Sequence, residues 1–174
     1  WATPVNSPTK SRPIRWIVAR SNWTTSTPTH RSEPWATPGP AVSILNGMNS
    51  GDSKFDSLLV VLGDLYLEND FPRFEADSSF VGVQNVTDFS RWCLVRSENN
   101  CVTEIIDKPF IDPHTPTALN GIYYFHDGKL ILDLAHFAVH SVEGLAGRDA
   151  EISSFLAPYC REHQVKLNHD ISLR

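Results

Sequence analysis

The sequence predicts an α/β domain in which helices flank a mostly parallel sheet, and three observations favour this fold class. Residues 57–62 form a run of apolar or small residues without alternation, which is typical of a strand covered on both faces inside a parallel sheet. Two more strand-like segments follow at 102–109 and 117–125, each with polar or glycine residues at one end. Helical apolar spacing then recurs at 129–140 and 152–163. We expect the strand at 57–62 to be central in the sheet.

The first third of the chain differs in composition from the remainder, and we place a boundary after residue 32. Residues 1–40 hold seven of the twelve prolines and four of the five tryptophans. Residues 1–50 carry five basic residues against one acidic residue, whereas the remainder carries ten against nineteen. We therefore divide the chain into an irregular Pro/Thr/Trp-rich segment, 1–32, and a domain, 33–174. Within the first segment, 14–19 resembles a strand.

The basic and aromatic residues of the N-terminal segment leave a nucleic-acid-binding arm open as an interpretation. We do not favour it, because proline and threonine dominate over lysine and arginine there. A rearranged gene start would give the same composition. We therefore expect no nucleic-acid partner.

The next elements along the chain are a short helix and the apolar strand. Residues 41–47 predict a helix that ends at Asn46-Gly47. The strand at 57–62 ends in Gly63 and Asp64, at the kind of position where open α/β sheets bind ligands. Glycine lets a phosphate approach closely, and a carboxylate can hold a divalent cation through oxygen. The alternative is a plain Gly-Asp turn.

Polar residues also mark the next two strands. The second strand ends in Asp107-Lys108-Pro109, and the third carries Asn120-Gly121 before a β-branched and aromatic run. Three such clusters in one sheet predict a single site for a polyanion. For Asp107 and Lys108 the alternative is an exposed pair at a strand end. After the two helices, residues 164–168 predict a last short strand.

Composition and cysteine usage limit the class of protein. A chain of 174 residues with 41% apolar and 20% charged residues fits one globular domain. The sequence contains no run long enough for a membrane-spanning helix and no signal peptide, so we expect no membrane partner. Cys93, Cys101 and Cys160 lack metal-ligand spacing, which favours free thiols over a disulfide or a zinc site. We therefore expect a cytoplasmic protein. The sequence leaves open whether the chain forms a homo-oligomer.

Taken in order, four segments resemble the sugar-phosphate nucleotidyltransferases, also called nucleoside-diphosphate-sugar pyrophosphorylases. In that family an apolar strand ends in Gly-Asp, a later strand ends in Glu-Lys-Pro, an Asn/Thr-Gly-Ile/Leu-Tyr strand follows, and Glu-Ile-Thr-Asp comes next. This chain has Gly63-Asp64, Asp107-Lys108-Pro109, Asn120-Gly121-Ile122-Tyr123 and Glu151-Ile152-Ser153-Ser154. The resemblance runs from residue 33 to about residue 168. It implies a Rossmann-like fold of the nucleotide-diphospho-sugar transferase type.

The resemblance implies the roles of the catalytic residues. Asp64 would hold Mg²⁺, which neutralises the phosphates, and Gly63 would let a phosphate approach the backbone. Lys108 would contact the sugar phosphate as a mobile point charge.

The same resemblance implies a set of sugar contacts. Asp107 stands where the family has glutamate, which accepts hydrogen bonds from sugar hydroxyls, and its side chain is one methylene shorter. Asn120 would hydrogen-bond to the sugar, and Gly121 would let the sugar lie against the backbone. Glu151 is a further candidate for a sugar contact.

A base pocket is implied by a segment of family members that resembles Glu-Pro-Leu-Gly-Thr-Ala-Gly. Thr37 and Gly39 fit that pattern, and Ala36 and Pro38 depart from it. The added methyl of Ala36 and the missing amide of Pro38 would change the contacts with a base. The alternative is a Pro-Gly loop that leads into the helix.

The resemblance also has a gap, because a Gly-rich loop such as L-x-G-G-x-G-T-R-L-x-P does not occur in this sequence. The family's W-x-D-x-G segment does not occur either. We therefore expect a copy that is incomplete at both termini, with little pyrophosphate release by the chain alone.

The predicted function is transfer of a nucleotidyl group from a nucleoside triphosphate to a sugar 1-phosphate. The products would be a nucleotide sugar and pyrophosphate, with Mg²⁺ as the cofactor. The alternative is a non-catalytic sugar-phosphate- or nucleotide-binding domain, or a regulatory subunit.

Overall fold

The computed structural model describes residues 14–19, 40–49, 55–62, 77–142 and 151–171. The strands are β1 Ile14–Ala19, β2 Ser57–Leu62, β3 Ser79–Asn85, β4 Cys93–Glu98, β5 Cys101–Asp107, β6 Thr117–Phe125 and β7 Val165–Asn168. The α-helices are α1 Pro40–Asn49, α2 Gly128–Val142 and α3 Ser153–Glu162, and a short 3₁₀ turn spans Phe89–Arg91.

The described strands form one mixed sheet in the order β1-β2-β6-β3-β7-β5-β4. Strand β4 also pairs with β6 through Leu94 and Ala118, so that β3, β4, β5, β6 and β7 close into a small five-strand barrel. Among the described strands only the β1–β2 and β3–β7 pairs are parallel. The other pairs, including both long neighbours of β6, are antiparallel.

The prediction of a Rossmann-like, mostly parallel sheet is therefore wrong, although the mixed α/β class is confirmed. The burial predicted from the apolar run of β2 is confirmed, because Leu58, Leu59 and Val60 are fully buried. Burial on both faces does not determine strand direction, however, and β2 pairs antiparallel with β6. Among the described strands β2 is also not central, since it lies second in the order of the sheet.

A tight hairpin supplies part of this antiparallel character. Strands β4 and β5 are joined at Asn99 and Asn100, which have positive φ angles of 50° and 62°. Two consecutive left-handed residues give a turn whose twist matches the twist of antiparallel strands, and asparagine tolerates that conformation. The Asn-Asn pair was the sequence signal for this hairpin.

The helices and the last strand agree with the sequence. The segments at 129–140 and 152–163 are helical as α2 and α3, and β7 confirms the strand at 164–168. The first helix does not end at Asn46-Gly47 but continues to Asn49. The spacing of its buried side chains explains this, because Ala41, Ile44, Leu45 and Met48 form one apolar helix face.

The core has two parts. The larger cluster joins strand residues such as Val60, Val81 and Phe125 to helix residues such as Ile131 and Phe155. The smaller cluster holds five buried residues: Leu59, Phe80, Ile122, Tyr124 and Ile171. Alternate residues of β2 and β6 thus pack into different clusters, which is how a sheet with two covered faces is built. Each fully buried large apolar side chain contributes roughly 1.5–3 kcal/mol.

A bulge in β6 interrupts its pairing with β3. Val81 pairs with Tyr123 and Val83 pairs with Leu119, so Gly82 faces the three residues 120–122. Asn120 fills this bulge: its Oδ1 accepts a hydrogen bond from the backbone N–H of Ile122 at 3.3 Å. Its Nδ2 donates to the carbonyl oxygen of Ile171 at 3.3 Å. A Cβ on Gly82 would lie 2.3 Å from Oδ1 of Asn120, so the bulge requires glycine there.

We predict that Gly82→Ala destabilises the fold by about 1–3 kcal/mol, because the added methyl overlaps the buried Asn120 side chain. Urea denaturation measures the change. In an Asn120→Ala background the same substitution is expected to cost less, because the obstructing amide is gone. Equal costs of Gly82→Ala in the two backgrounds would show that the clash is relieved elsewhere.

Candidate functional site

A cavity of about 410 Å³ lies between the end of β5, the bulge of β6 and the residues that begin α3. This volume falls in the range of roughly 300–1,000 Å³ that is typical of small-molecule sites. Five residues predicted from the sequence line the cavity: Asp107, Lys108, Asn120, Gly121 and Glu151. They come from three separate segments of the chain, which the fold brings to one place.

Lys108 is held in an unusual backbone conformation at the end of β5. Its φ angle is 41°, in the left-handed region that side-chain-bearing residues rarely adopt, and such strain costs on the order of 1–3 kcal/mol. The backbone N–H of Lys108 donates to the carbonyl oxygen of Trp92 at 3.0 Å. This bond ties the strained residue to the residue before β4.

The ammonium of Lys108 is paired inside the cavity. Its Nζ donates to Oε1 of Glu151 at 2.8 Å. The hydrogen bond to Glu151 raises the pKa of Lys108 above its ordinary value of 10.5, although partial burial opposes this. Lys108 therefore carries its charge at neutral pH.

The carboxylates of the site affect a neighbouring thiol. Cys93 pairs with Asp107 across strands β4 and β5 and lines the cavity. Burial, together with smaller contributions from the negative charges of Asp107 and Glu151, raises the pKa of Cys93 to about 12, and the positive charge of Lys108 opposes this rise. The thiol is therefore neutral at physiological pH, and the two carboxylates give its surroundings a negative electrostatic potential.

Asn120 and Gly121 occupy the bulge, not the end of a strand. Asn120 is 2% exposed, and both ends of its amide bond to backbone groups. The hydrogen bond from Asn120 to a sugar stays a prediction. Its structural role, which is to bind the backbone at the bulge, was missed by sequence reasoning. Gly121 has a φ of 93°, which a residue with a Cβ rarely adopts. Glycine is thus required here by the backbone as well as by any close approach of a ligand.

Four predicted site residues lie outside the described residues: Thr37, Gly39, Gly63 and Asp64. The roles predicted for them stay predictions. Leu62, which ends β2 directly before the Gly-Asp pair, does line the cavity.

The cavity also contains residues that the sequence analysis did not select, namely Arg91 and Trp92. Arg91 ends, and Trp92 directly follows, a 3₁₀ turn capped by Asp88, whose Oδ1 accepts hydrogen bonds from the backbone N–H and the hydroxyl of Ser90. The Asp-x-Ser spacing was the available signal for this turn. The adjacent arginine and tryptophan at the end of this turn could have marked a ligand contact.

The described residues contain no group of three or more side chains that could hold a metal ion. The Mg²⁺ ligand predicted from the sequence is Asp64, which lies outside them. None of the helices in the described ranges has the length and apolarity needed to cross a membrane.

The sequence matches no family model and no curated protein, but solved structures resemble the fold. One is assigned as a glucose-1-phosphate thymidylyltransferase from Bacillus anthracis in complex with sucrose. Its identity is 21% and its TM-score 0.56, over 79% of this chain and 54% of that one. Another is the nucleoside-diphosphate-sugar pyrophosphorylase from Vibrio cholerae RC9, with 17% identity and a TM-score of 0.59, over 75% of this chain and 57% of that one.

These similarities show that the chain has a nucleotidyltransferase-like fold. The chain spans a little more than half the length of each of these two structures. At such low identity the similarity establishes the fold and no particular reaction.

We predict that Cys93 in the folded protein reacts with iodoacetamide at pH 8 about 10³-fold more slowly than in the unfolded chain. The reason is that a pKa near 12 in place of 9.0 reduces the thiolate fraction by about three orders of magnitude. The raised pKa also means that the thiol's contribution to stability is complete below about pH 9 and declines as the pH rises towards about 12. Peptide mass spectrometry measures the labelling of each cysteine.

Glu151→Gln is expected to speed the labelling of Cys93, because it removes a negative charge that raises this pKa. Cys160 is the internal control, since burial raises its pKa to about 12 and Glu151 is not among the causes. Equal acceleration at both cysteines would indicate loosening of the fold instead of an electrostatic effect.

Proposed function

We propose that this chain contributes the sugar-phosphate site of a nucleotidyltransferase, which joins a sugar 1-phosphate to a nucleoside triphosphate and releases pyrophosphate. The observation that carries the proposal is the convergence of Asp107, Lys108, Gly121 and Glu151 on one cavity. Lys108 and Glu151 are 43 positions apart and yet form a direct ion pair there. The nucleotidyltransferase-like fold supports the same function.

The chemistry of this reaction needs the kinds of residue that the cavity holds. A phosphate oxygen of the sugar phosphate attacks the α-phosphorus of the triphosphate in line, and the bond from that phosphorus to the bridging oxygen breaks as pyrophosphate leaves. Both reactants are polyanions, so catalysis depends on positive charge and on positioning. Lys108, which is charged at neutral pH, is the residue that we propose for the contact with the sugar phosphate.

The neutral part of the ligand would contact the acidic residues of the cavity. The carboxylates of Asp107 and Glu151 can accept hydrogen bonds from sugar hydroxyls. At Gly121 the backbone carries no side chain, so a sugar ring can lie directly against it. The indole of Trp92 adds an apolar surface for the ring's C–H groups.

Mg²⁺ stays part of the proposal through Asp64 alone. When bound it would neutralise charge on the phosphates, with few protein carboxylates among its ligands. The described residues contain no group of three or more side chains that could hold a metal ion, and the roles proposed for Asp107, Lys108 and Glu151 do not depend on one. The cytoplasmic location and any homo-oligomer also stay predictions.

A non-catalytic domain that binds a sugar phosphate or a nucleotide is the second candidate function. The observation that favours it is that no Gly-rich loop such as L-x-G-G-x-G-T-R is among the described residues that line the cavity. Such loops hold a triphosphate through backbone amides. Both candidate functions need the same sugar-phosphate cavity, so binding alone does not separate them.

We predict that the chain binds glucose 1-phosphate and that Lys108→Gln weakens this binding roughly 10- to 150-fold. A hydrogen bond to a charged group contributes about 1.5–3 kcal/mol, which corresponds to that range. Isothermal titration calorimetry measures the affinity. Lys129→Gln is the matched control, because Lys129 is exposed, pairs with Asp133 on α2 and does not line the cavity. Equal losses in the two variants would contradict the proposed site.

A pyrophosphate-release assay across common nucleoside triphosphates and sugar 1-phosphates tests for the enzyme. Turnover that Asp64→Asn abolishes would establish the enzyme, whereas binding without turnover is expected both of an incomplete enzyme and of the non-catalytic domain. If the chain binds no sugar phosphate, no nucleotide and no nucleotide sugar, both functions are wrong.

A further inference from the structure

The ion pair between Lys108 and Glu151 occupies the position where the proposed function needs a cation for a phosphate. The two side chains lie 2.8 Å apart, and they are 52% and 35% exposed. Ion pairs that are this accessible to water are weak and can open without unfolding of the protein. The pair can therefore compete with a ligand without preventing its binding.

We propose that Glu151 competes with the phosphate of a ligand for the ammonium of Lys108, and that the cavity thereby selects hydroxylated phosphate esters over inorganic phosphate. This inference rests on the proposed function. It assigns Glu151 a role in specificity, because a phosphate binds Lys108 at a lower cost when Glu151 receives another partner from the same ligand.

The charges around the pair explain the selection. When inorganic phosphate takes Lys108, the carboxylate of Glu151 loses its cation and faces a new anion. Asp107, a second carboxylate, lines the same cavity and adds to the repulsion. Both carboxylates also raise the pKa of Cys93, because their negative charges lie near this thiol in the cavity wall.

A sugar phosphate avoids this cost because it brings two kinds of group. Its phosphate replaces Glu151 as the partner of Lys108, and its hydroxyls replace Lys108 as hydrogen-bond donors to Glu151. A neutral sugar can add hydrogen bonds but leaves the ion pair in place. Only a ligand with both groups satisfies both residues at once.

The backbone limits how Lys108 can respond. The bond from its N–H to the carbonyl of Trp92 and its left-handed φ of 41° fix the start of the side chain. The competition is therefore decided by rotation of the lysine side chain between Glu151 and a ligand, without a shift of β5.

The experiment compares the binding of two probes, inorganic phosphate and glucose 1-phosphate, at constant pH and ionic strength. Calorimetric titrations are made with the unaltered chain, with Glu151→Gln and with Lys108→Gln/Glu151→Gln. We expect Glu151→Gln to tighten phosphate binding about two- to fivefold, in line with the strength of an accessible ion pair. Glucose 1-phosphate is expected to gain nothing or to bind more weakly. The double variant should lose the gain for phosphate.

Asp133→Asn is the matched control. Asp133 forms the same kind of pair with Lys129 on the surface of α2, away from the cavity, so its removal frees a lysine that should not bind phosphate. Glu151→Asp is a second variant with a carboxylate one methylene shorter, and we expect an intermediate gain for phosphate. A gain in affinity is a readout that simple loss of structure does not produce.

The inference is overturned if Glu151→Gln leaves the affinity for inorganic phosphate unchanged or lowers it. It is also overturned if inorganic phosphate binds neither to the unaltered chain nor to Glu151→Gln. An equal gain for both probes would overturn the selection. If phosphate binds at Arg91 instead, Lys108→Gln/Glu151→Gln will bind it as tightly as Glu151→Gln does, and this also overturns the inference. If Glu151→Gln tightens the binding of inorganic phosphate but no protein binds glucose 1-phosphate, the result counts against the proposed function and leaves the competition at Lys108 intact. If the unaltered chain binds glucose 1-phosphate but Glu151→Gln does not tighten the binding of inorganic phosphate, the result supports the proposed function and rejects the inference.

Discussion

The buried amide of Asn120 links the sheet to the cavity. Strand β6 pairs with β2, β3 and β4, and its continuity is broken at the bulge that this amide fills. The carbonyl oxygen of Asn120 satisfies the N–H of Ile122, and its amino group reaches the backbone of Ile171 beyond β7. Gly82 leaves the space and Gly121 supplies the backbone angle. These three residues together form the bulge, and two of them, Asn120 and Gly121, line the cavity.

Much of the fold follows from local patterns in the sequence. The apolar run of β2, the helical spacing of α2 and α3 and the last strand were all predicted, because each depends on burial periodicity within one segment. Strand direction and barrel closure were not, because they depend on which segments pair. The contact between Leu94 and Ala118 that closes the barrel is a long-range property. The Asn99-Asn100 turn was a local signal for antiparallel pairing that the prediction did not use.

The candidate site was predictable in its residue types and less so in its interactions. Ordered motifs selected Asp107, Lys108, Gly121 and Glu151, and the fold brings all four to the cavity. The ion pair of Lys108 joins segments far apart in sequence, so no spacing rule could indicate it. The internal role of Asn120 was hidden for a related reason. An asparagine beside glycine suggests a ligand contact and a bulge equally well until the opposite strand is known.

The left-handed backbone of Lys108 has a consequence for how this position would behave in a mutational scan. A φ of 41° is less costly for glycine or asparagine than for lysine, so Lys108→Gly and Lys108→Asn relieve strain while they remove a charge. A screen that rewards heat resistance would enrich these two replacements. A screen that rewards ligand retention would keep the lysine. Position 108 is therefore a place where selection for stability and selection for binding favour different amino acids.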